Sequence, residues 1–155
     1  MVYYGLVGKK LGHSYSRNYF MKKFEEKAID GVYNNYELED ISEIRNIVKE
    51  NDYLMGLNIT VPYKVDVIKY LDDIDNEAEE TGAVNVIKII RKNGKILLKG
   101  YNTDIYGFEN SLMPLLIGRE GCKAIILGTG GASKAVSYVF RKLNIDHVFL
   151  SRFSS

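Results

Sequence analysis

The sequence predicts an α/β protein with a mainly parallel sheet, followed by the opening of a second, doubly wound unit. Three observations carry this. Apolar runs of strand length alternate with segments of helical periodicity, the order that layers helices on parallel strands. Asn93-Gly94 separates two apolar runs and marks a hairpin, because both residues tolerate the positive φ of a type I′ turn. A glycine-rich stretch, Leu127 to Ser133, ends one strand and opens one helix.

In chain order, Val2 to Val7 is apolar and β-rich and stops at Gly8, so it reads as a strand. Ser14 or Ser16 is a candidate cap for a helix in which Tyr19, Phe20, Phe24 and Ala28 keep helical spacing. Val32 to Leu38 reads as a second strand. Ile41, Ile44, Ile47 and Val48 form the apolar stripe of the next helix. Leu54 to Val61 reads as a third strand, stopped by Pro62. Val65, Ile68, Tyr70 and Leu71 give a short helix, and Asn76 to Thr81 another that ends at Gly82. Val84 to Ile90 and Ile96 to Leu98 flank the hairpin turn and add an antiparallel edge to the sheet. A helix from Thr103 to Leu116 follows, with Pro114 near its end. Lys123 to Leu127, Gly130 to Leu143 and His147 to Leu150 then read as strand, helix and strand.

The helix from Thr103 is the expected join between two units, residues 1–102 and 103–155. A doubly wound sheet takes two βαβαβ halves. Two strands and one helix after the join do not make one, so the chain reads as a fragment with an incomplete second unit. That unit is expected to expose an apolar sheet face, a route to self-association. Protection from hydrogen exchange is expected over residues 2–101 and weak protection over 123–150.

Composition sets the class. The 155 residues are 46% hydrophobic and 26% charged, as in a folded protein. No apolar run approaches the roughly 18–20 residues that span a bilayer, and Met-Val-Tyr-Tyr-Gly does not resemble a signal peptide. A cytoplasmic location with no membrane partner is expected. Cys122 is the single cysteine, and no disulfide framework or metal site is read. The net charge of +1 and the scattered tyrosines argue against a nucleic-acid partner. Residues 1–117 carry −3 and residues 118–155 carry +4, a bias that suits a phosphate-bearing ligand.

Leu127-Gly128-Thr129-Gly130-Gly131-Ala132-Ser133 matches G-x-G-x-x-[small], with Ser133 in the third small position. Gly128 permits the tight turn. Gly130 lets a pyrophosphate approach the backbone, where the helix N-terminus offers N–H groups and positive dipole character. The surrounding strand–turn–helix–strand order is that of a Rossmann-type unit. An NAD site places Asp or Glu about 20 residues on. This chain has Leu150-Ser151-Arg152-Phe153-Ser154 there, and Arg152 suits a 2′-phosphate, so NADP(H) is the expected cofactor.

Further polar groups cluster at element ends, where small-ligand sites are commonly built. Asn58 and Thr60 alternate with Leu57 and Ile59 and share one strand face. Lys64 lies just beyond Pro62. Asn85 opens a strand, and Asn102-Thr103-Asp104 ends one strand and starts a helix. Asn58-Ile59-Thr60-Val61-Pro62-Tyr63-Lys64, Gly82-Ala83-Val84-Asn85, Asn102-Thr103-Asp104-Ile105-Tyr106-Gly107-Phe108 and Gly128-Thr129-Gly130-Gly131-Ala132 resemble, in that order, the motifs of the shikimate dehydrogenase family. His13-Ser14-Tyr15-Ser16 resembles its N-terminal serine motif.

The resemblance implies an oxidoreductase that reduces 3-dehydroshikimate to shikimate with NADPH, in the route to aromatic amino acids. It implies an N-terminal substrate domain followed by an incomplete Rossmann-type domain. Ser14 and Ser16 would bind the substrate carboxylate, with His13 a candidate site-lining residue. Asn58, Thr60, Asn85 and Asp104 would contact ring hydroxyls, and Lys64 with Asp104 would be the catalytic pair. Gly128, Thr129, Gly130, Gly131 and Ala132 would hold the pyrophosphate. Ser151 and Arg152 stand at the family's Asn-Arg-Thr/Ser position. Lys10 and Arg17 replace usual prolines, and the usual His-Asn pair after the serines is missing. A substrate-binding glutamine, a tyrosine beside it and the nicotinamide-side residues are expected beyond Ser155, so hydride transfer by these residues alone is expected to be absent or barely detectable. The alternatives are a quinate/shikimate dehydrogenase using NAD, against which Ser16 and Arg152 stand, and a non-catalytic shikimate-binding fragment.

Overall fold

A computed structural model describes residues 1–12 and 14–151 of the chain. Two sheets organise it. The first has six strands in the order β2-β1-β3-β5-β6-β4: β1 (Val2–Gly8), β2 (Gly31–Glu37), β3 (Leu54–Ile59), β4 (Asp73–Ile74), β5 (Val86–Lys92) and β6 (Lys95–Tyr101). β1 pairs parallel with both β2 and β3. β5 runs antiparallel to β3 and to β6, and β4 runs parallel to β6. Five strands therefore share one direction and β5 opposes them.

This corrects two sequence expectations. The hairpin is not the sheet edge, because β4 pairs outside β6. A two-residue strand of Asp73 and Ile74 has no apolar run to announce it. The third strand stops at Ile59 rather than Val61, where the chain turns into a loop with a cis Val61–Pro62 bond. The hairpin turn is as expected, with φ of 52° at Asn93 and 71° at Gly94.

Helices cover both faces. α1 (Ser16–Glu26) packs Phe20 and Phe24 against Leu6, Leu11 and Tyr33. A 3₁₀ turn over Ile41–Glu43 and α2 (Ile44–Glu50) cover the other face. Ile44, Val48, Val7, Leu54, Leu57, Ile59, Ile87 and Leu98 are almost wholly buried there, each side chain contributing about 1.5–3 kcal/mol by leaving water. The segment around Ile68 is a 3₁₀ turn over Asp66–Tyr70 rather than an α-helix. α3 (Asn76–Thr81) starts on the Asp75 carboxylate, which accepts from the Ala78 N–H, and ends at Gly82 with φ 64°.

α4 (Thr103–Leu116) leads to the second sheet, in which β7 (Lys123–Leu127) and β8 (Asp146–Leu150) run parallel around α5 (Gly131–Lys142). Ala135 and Val139 of α5 pack on Ile105 of α4. The opposite face of β7 and β8 exposes Ile125, Leu127, Val148 and Leu150. His147, which offers no partner in the sequence, is held by two: Ser137 Oγ lies 2.7 Å from its Nε2, and Ile145 O 3.0 Å from its Nδ1. No helix among the described residues is long and apolar enough to cross a membrane.

Candidate active site

The sheet directions bring the polar groups to one end. The carboxyl ends of β1, β3 and β6 point the same way, and β5, being antiparallel, begins there. Ile59 N–H donates to Asn85 O at 2.8 Å and Asn85 N–H to Tyr101 O at 3.0 Å. Thr60 N–H donates to Val7 O at 2.9 Å. The serine loop, the proline loop, the start of β5 and the start of α4 are therefore neighbours at the carboxyl edge of an α/β sheet, the usual place for ligand sites.

Lys64 and Asp104 form the centre. Lys64 Nζ donates to Asp104 Oδ2 at 2.6 Å. The lysine side chain is 15% exposed and the aspartate 31%, so the pair is largely withdrawn from water yet open on one side. Asn85 Nδ2 donates to Asp104 Oδ1 at 2.7 Å and to Thr103 Oγ1 at 3.1 Å. Asn85 Oδ1 accepts from the Thr103 N–H at 2.8 Å. The backbone reinforces this, since Val84 N–H donates to Lys64 O at 2.7 Å. Asn102 caps α4: its Oδ1 accepts from Asp104 N–H at 3.0 Å, and its Nδ2 donates to Ala83 O. The Gly82–Asn85 and Asn102–Asp104 segments are thus tied together by side-chain amides.

The serine loop is held from both sides. Leu11 is buried, its N–H donates to Glu37 Oε1 at 2.6 Å, and Lys9 N–H donates to Val61 O. Neither serine is the N-cap of α1. Tyr15 is, with helical φ and ψ and no side-chain cap, while Ser14 Oγ reaches past it to accept from Ser16 N–H at 3.3 Å. Both serines are partly exposed. Asn58 is placed by Tyr33, whose hydroxyl lies 2.8 Å from Asn58 Oδ1. Burial raises the Tyr33 phenol well above its ordinary value. An apolar cavity of about 290 Å³ lies on this face, lined by Tyr4, Phe20, Phe24, Leu57, Asn58 and Ile87 among others. The Lys64–Asp104 pair lies outside it.

The glycine turn meets this site. Gly128 has φ 106°, a conformation L side chains rarely adopt. Gly130 is the N-cap of α5 and has no side chain to cap it. A Cβ built there meets nothing within 4 Å, so an oxyanion could approach the first-turn N–H groups. Gly131 packs its backbone on Lys64: a Cβ there would lie 2.7 Å from Lys64 Cβ. The residues present therefore fit a dinucleotide phosphate beside the Lys64 side chain. Thr129 and Ala132 are exposed on the same turn. Ser151 closes the described chain just beyond β8, and His13 and Arg152 lie outside the described residues.

Comparison with known proteins decides the family. Residues 6–87 match the profile of the shikimate dehydrogenase substrate binding domain. The chain belongs to this family. An NADP(+) shikimate dehydrogenase from Caldanaerobacter subterraneus subsp. tengcongensis is 38% identical over 150 residues, covering 96% of this chain and 52% of the relative. A crystal structure of shikimate dehydrogenase 1 from Peptoclostridium difficile superposes with a TM-score of 0.85 at 39% identity, over 97% of this chain and 60% of that one. The Thermus thermophilus shikimate 5-dehydrogenase, solved in complex with NADP(H) and shikimate, gives a TM-score of 0.80 at 27% identity, over 98% of this chain and 56% of that one. The chain spans about half the length of the curated relatives it matches. The mainly parallel α/β fold is shared with these shikimate dehydrogenases.

Sequence reasoning singled out Lys64, Asp104, Asn85, Asn58 and the glycine turn. It missed Tyr33 as the partner of Asn58, Asn102 as the cap of α4 and Gly131 as the packing surface for Lys64. Each depends on a contact across elements, which no local pattern announces.

Proposed function

We propose that this chain carries the shikimate-binding unit, residues 1–102, and the start of the NADP(H)-binding unit, residues 103–155, of a shikimate dehydrogenase. The observation that carries the reading is the Lys64–Asp104 ion pair, buttressed by Asn85 and abutted by the backbone of a phosphate-type glycine turn. The reaction is the reversible reduction of 3-dehydroshikimate to shikimate.

Nicotinamide supplies the hydride donor or acceptor when bound. The chain's own residues do the rest. Lys64 Nζ has three N–H donors, of which Asp104 takes one. The other two are left for a ligand, and one of them moves the proton at the ring oxygen that is being made or consumed. Asp104 keeps the ammonium in place, and its two oxygens, engaged by Lys64 and Asn85, retain lone pairs for a ring hydroxyl. Asn58, Thr60 and Asn85 hold further hydroxyls, and Ser14 and Ser16 hold the carboxylate from the neighbouring loop. Gly128, Thr129, Gly130, Gly131 and Ala132 hold the pyrophosphate, and Ser151 and Arg152 the 2′-phosphate. Apolar Ile125, Leu127, Val148 and Leu150 give the surface through which the second unit would self-associate.

Calorimetry tests this directly. Shikimate should bind the chain at one site, and Lys64→Ala or Asp104→Ala should each weaken it about tenfold or more, because each leaves a charged group without its partner. Unchanged affinity in both variants would remove the pair from the site.

A further inference from the structure

Two residues of α1, Phe20 and Met21, converge on one side chain. Phe20 stacks on the Tyr33 ring, with centroids 4.6 Å apart and planes 13° from parallel. Met21 Sδ accepts from the Tyr33 N–H at 3.2 Å. Tyr33 is 2% exposed. Its ring is held by a flat stack and its backbone by the thioether, so its hydroxyl has a fixed direction. That direction ends 2.8 Å from Asn58 Oδ1.

We infer that Tyr33 is a positioning residue that orients the side-chain amide of Asn58, so that Asn58 turns its Nδ2 donors toward its ligand. Asn carries one acceptor oxygen and one NH₂ group with two donors. A phenol hydroxyl aimed at Oδ1 donates to it, and a flip of the amide would turn an N–H toward that hydroxyl instead. Oδ1 keeps one lone pair beside the Tyr33 hydroxyl, whereas Nδ2 has no hydrogen-bond partner among the described residues and offers both its donors to a ligand. A group that takes the Nδ2 donors presents an oxygen lone pair. A phenol is protonated across the neutral range and burial raises its pKa further, so the lock does not titrate there.

The inference rests on the shikimate-binding reading only for the nature of the ligand, and two experiments separate the two. The first needs no ligand. In ¹³C,¹⁵N-labelled chain, the Tyr33 hydroxyl proton should exchange slowly, splitting the Cζ signal in mixed H₂O and D₂O, and the Asn58 side-chain amide pair should move in Tyr33→Phe. A single averaged Cζ line, or an Asn58 pair unmoved by Tyr33→Phe, overturns the lock. The Cζ measurement uses the unsubstituted chain, so a single averaged line overturns the lock even if Tyr33→Phe fails to fold.

The second is a double-mutant cycle on shikimate affinity. Tyr33→Phe should weaken binding about tenfold when Asn58 is present, the worth of one oriented hydrogen bond. It should have less than about a twofold effect in an Asn58→Ala background, since coupled residues lose their interaction only once. Equal losses in both backgrounds would make Tyr33 a purely structural residue and refute the inference. If the unsubstituted chain binds no shikimate, the functional reading fails, and the first experiment alone decides the role of Tyr33.

Discussion

Gly130 and Gly131 are adjacent, yet the structure gives them opposite sensitivities. At Gly130 the backbone has φ −76° and ψ −178°, which any residue adopts, and an added methyl meets nothing within 4 Å. Gly130→Ala should therefore change stability little. The poorer N-cap costs a few tenths to about 1 kcal/mol, and the stiffer unfolded chain returns about 0.4–1 kcal/mol. The same methyl sits where an oxyanion would approach the N-terminus of α5. Losing one or two charge-assisted contacts of about 1.5–3 kcal/mol each should raise the Kd for NADPH by at least tenfold. At Gly131 the added methyl would lie 2.7 Å from Lys64 Cβ, an atom too close to the backbone to swing aside. Gly131→Ala should destabilise by about 1–3 kcal/mol, the usual cost of overpacking. Urea unfolding reads the stabilities, and NADPH fluorescence reads the affinities. Gly130→Ala with unchanged NADPH affinity, or Gly131→Ala as stable as the parent, would refute the assignment of these two glycines.

Three further outcomes follow from named contacts. In a polypeptide of the relatives' full length carrying this chain, Lys64→Ala should lower kcat by roughly 10²–10⁴-fold with the fold retained, as loss of a proton-transfer group does. A parental kcat would exclude Lys64 from proton transfer. Arg152→Ala should cut the preference for NADP over NAD by about tenfold or more, measured as the ratio of the two affinities, and an unchanged ratio would free Arg152 of that role. Asp72 is partly desolvated, which opposes its ionisation, but the Leu98 N–H at 2.7 Å and Arg45 at 2.8 Å outweigh this and hold its carboxyl below the ordinary 3.8. A depressed carboxyl stabilises fully above its unfolded value and loses that stability as pH falls through its folded one. The urea midpoint should therefore drop, as the pH falls through the ordinary 3.8 and below it, more steeply in the parent than in Asp72→Asn, and equal slopes would contradict the contact.

Much of the architecture was legible because local chemistry coincides with tertiary need. Asn93-Gly94 can form only a few kinds of turn, and Gly82 supplies the left-handed C-cap that α3 requires. The start of α4 was readable because Asn102-Thr103-Asp104 follows directly on β6, with Asn102 capping the helix that opens at Thr103. β4 was not legible, since a two-residue strand exists only through its partner β6. The candidate site was legible where one segment carries several functional groups, as in Asn58 to Lys64. It was illegible where function depends on a contact between distant segments. Tyr33 looked like an ordinary strand aromatic, and its relation to Asn58 appears only once β2, β1 and β3 are aligned. Gly131 looked like part of a phosphate turn, and its packing on Lys64 appears only when the second unit is seated beside the proline loop.

The most direct test is a shikimate titration of the ¹⁵N-labelled chain followed residue by residue. Saturable, single-site shifts should concentrate at Ser14, Ser16, Asn58, Thr60, Lys64, Asn85 and Asp104, with α2 and the Asn93-Gly94 turn unmoved. No saturable shifts, or shifts centred on a different face of the sheet, would contradict a shikimate site built on Lys64 and Asp104.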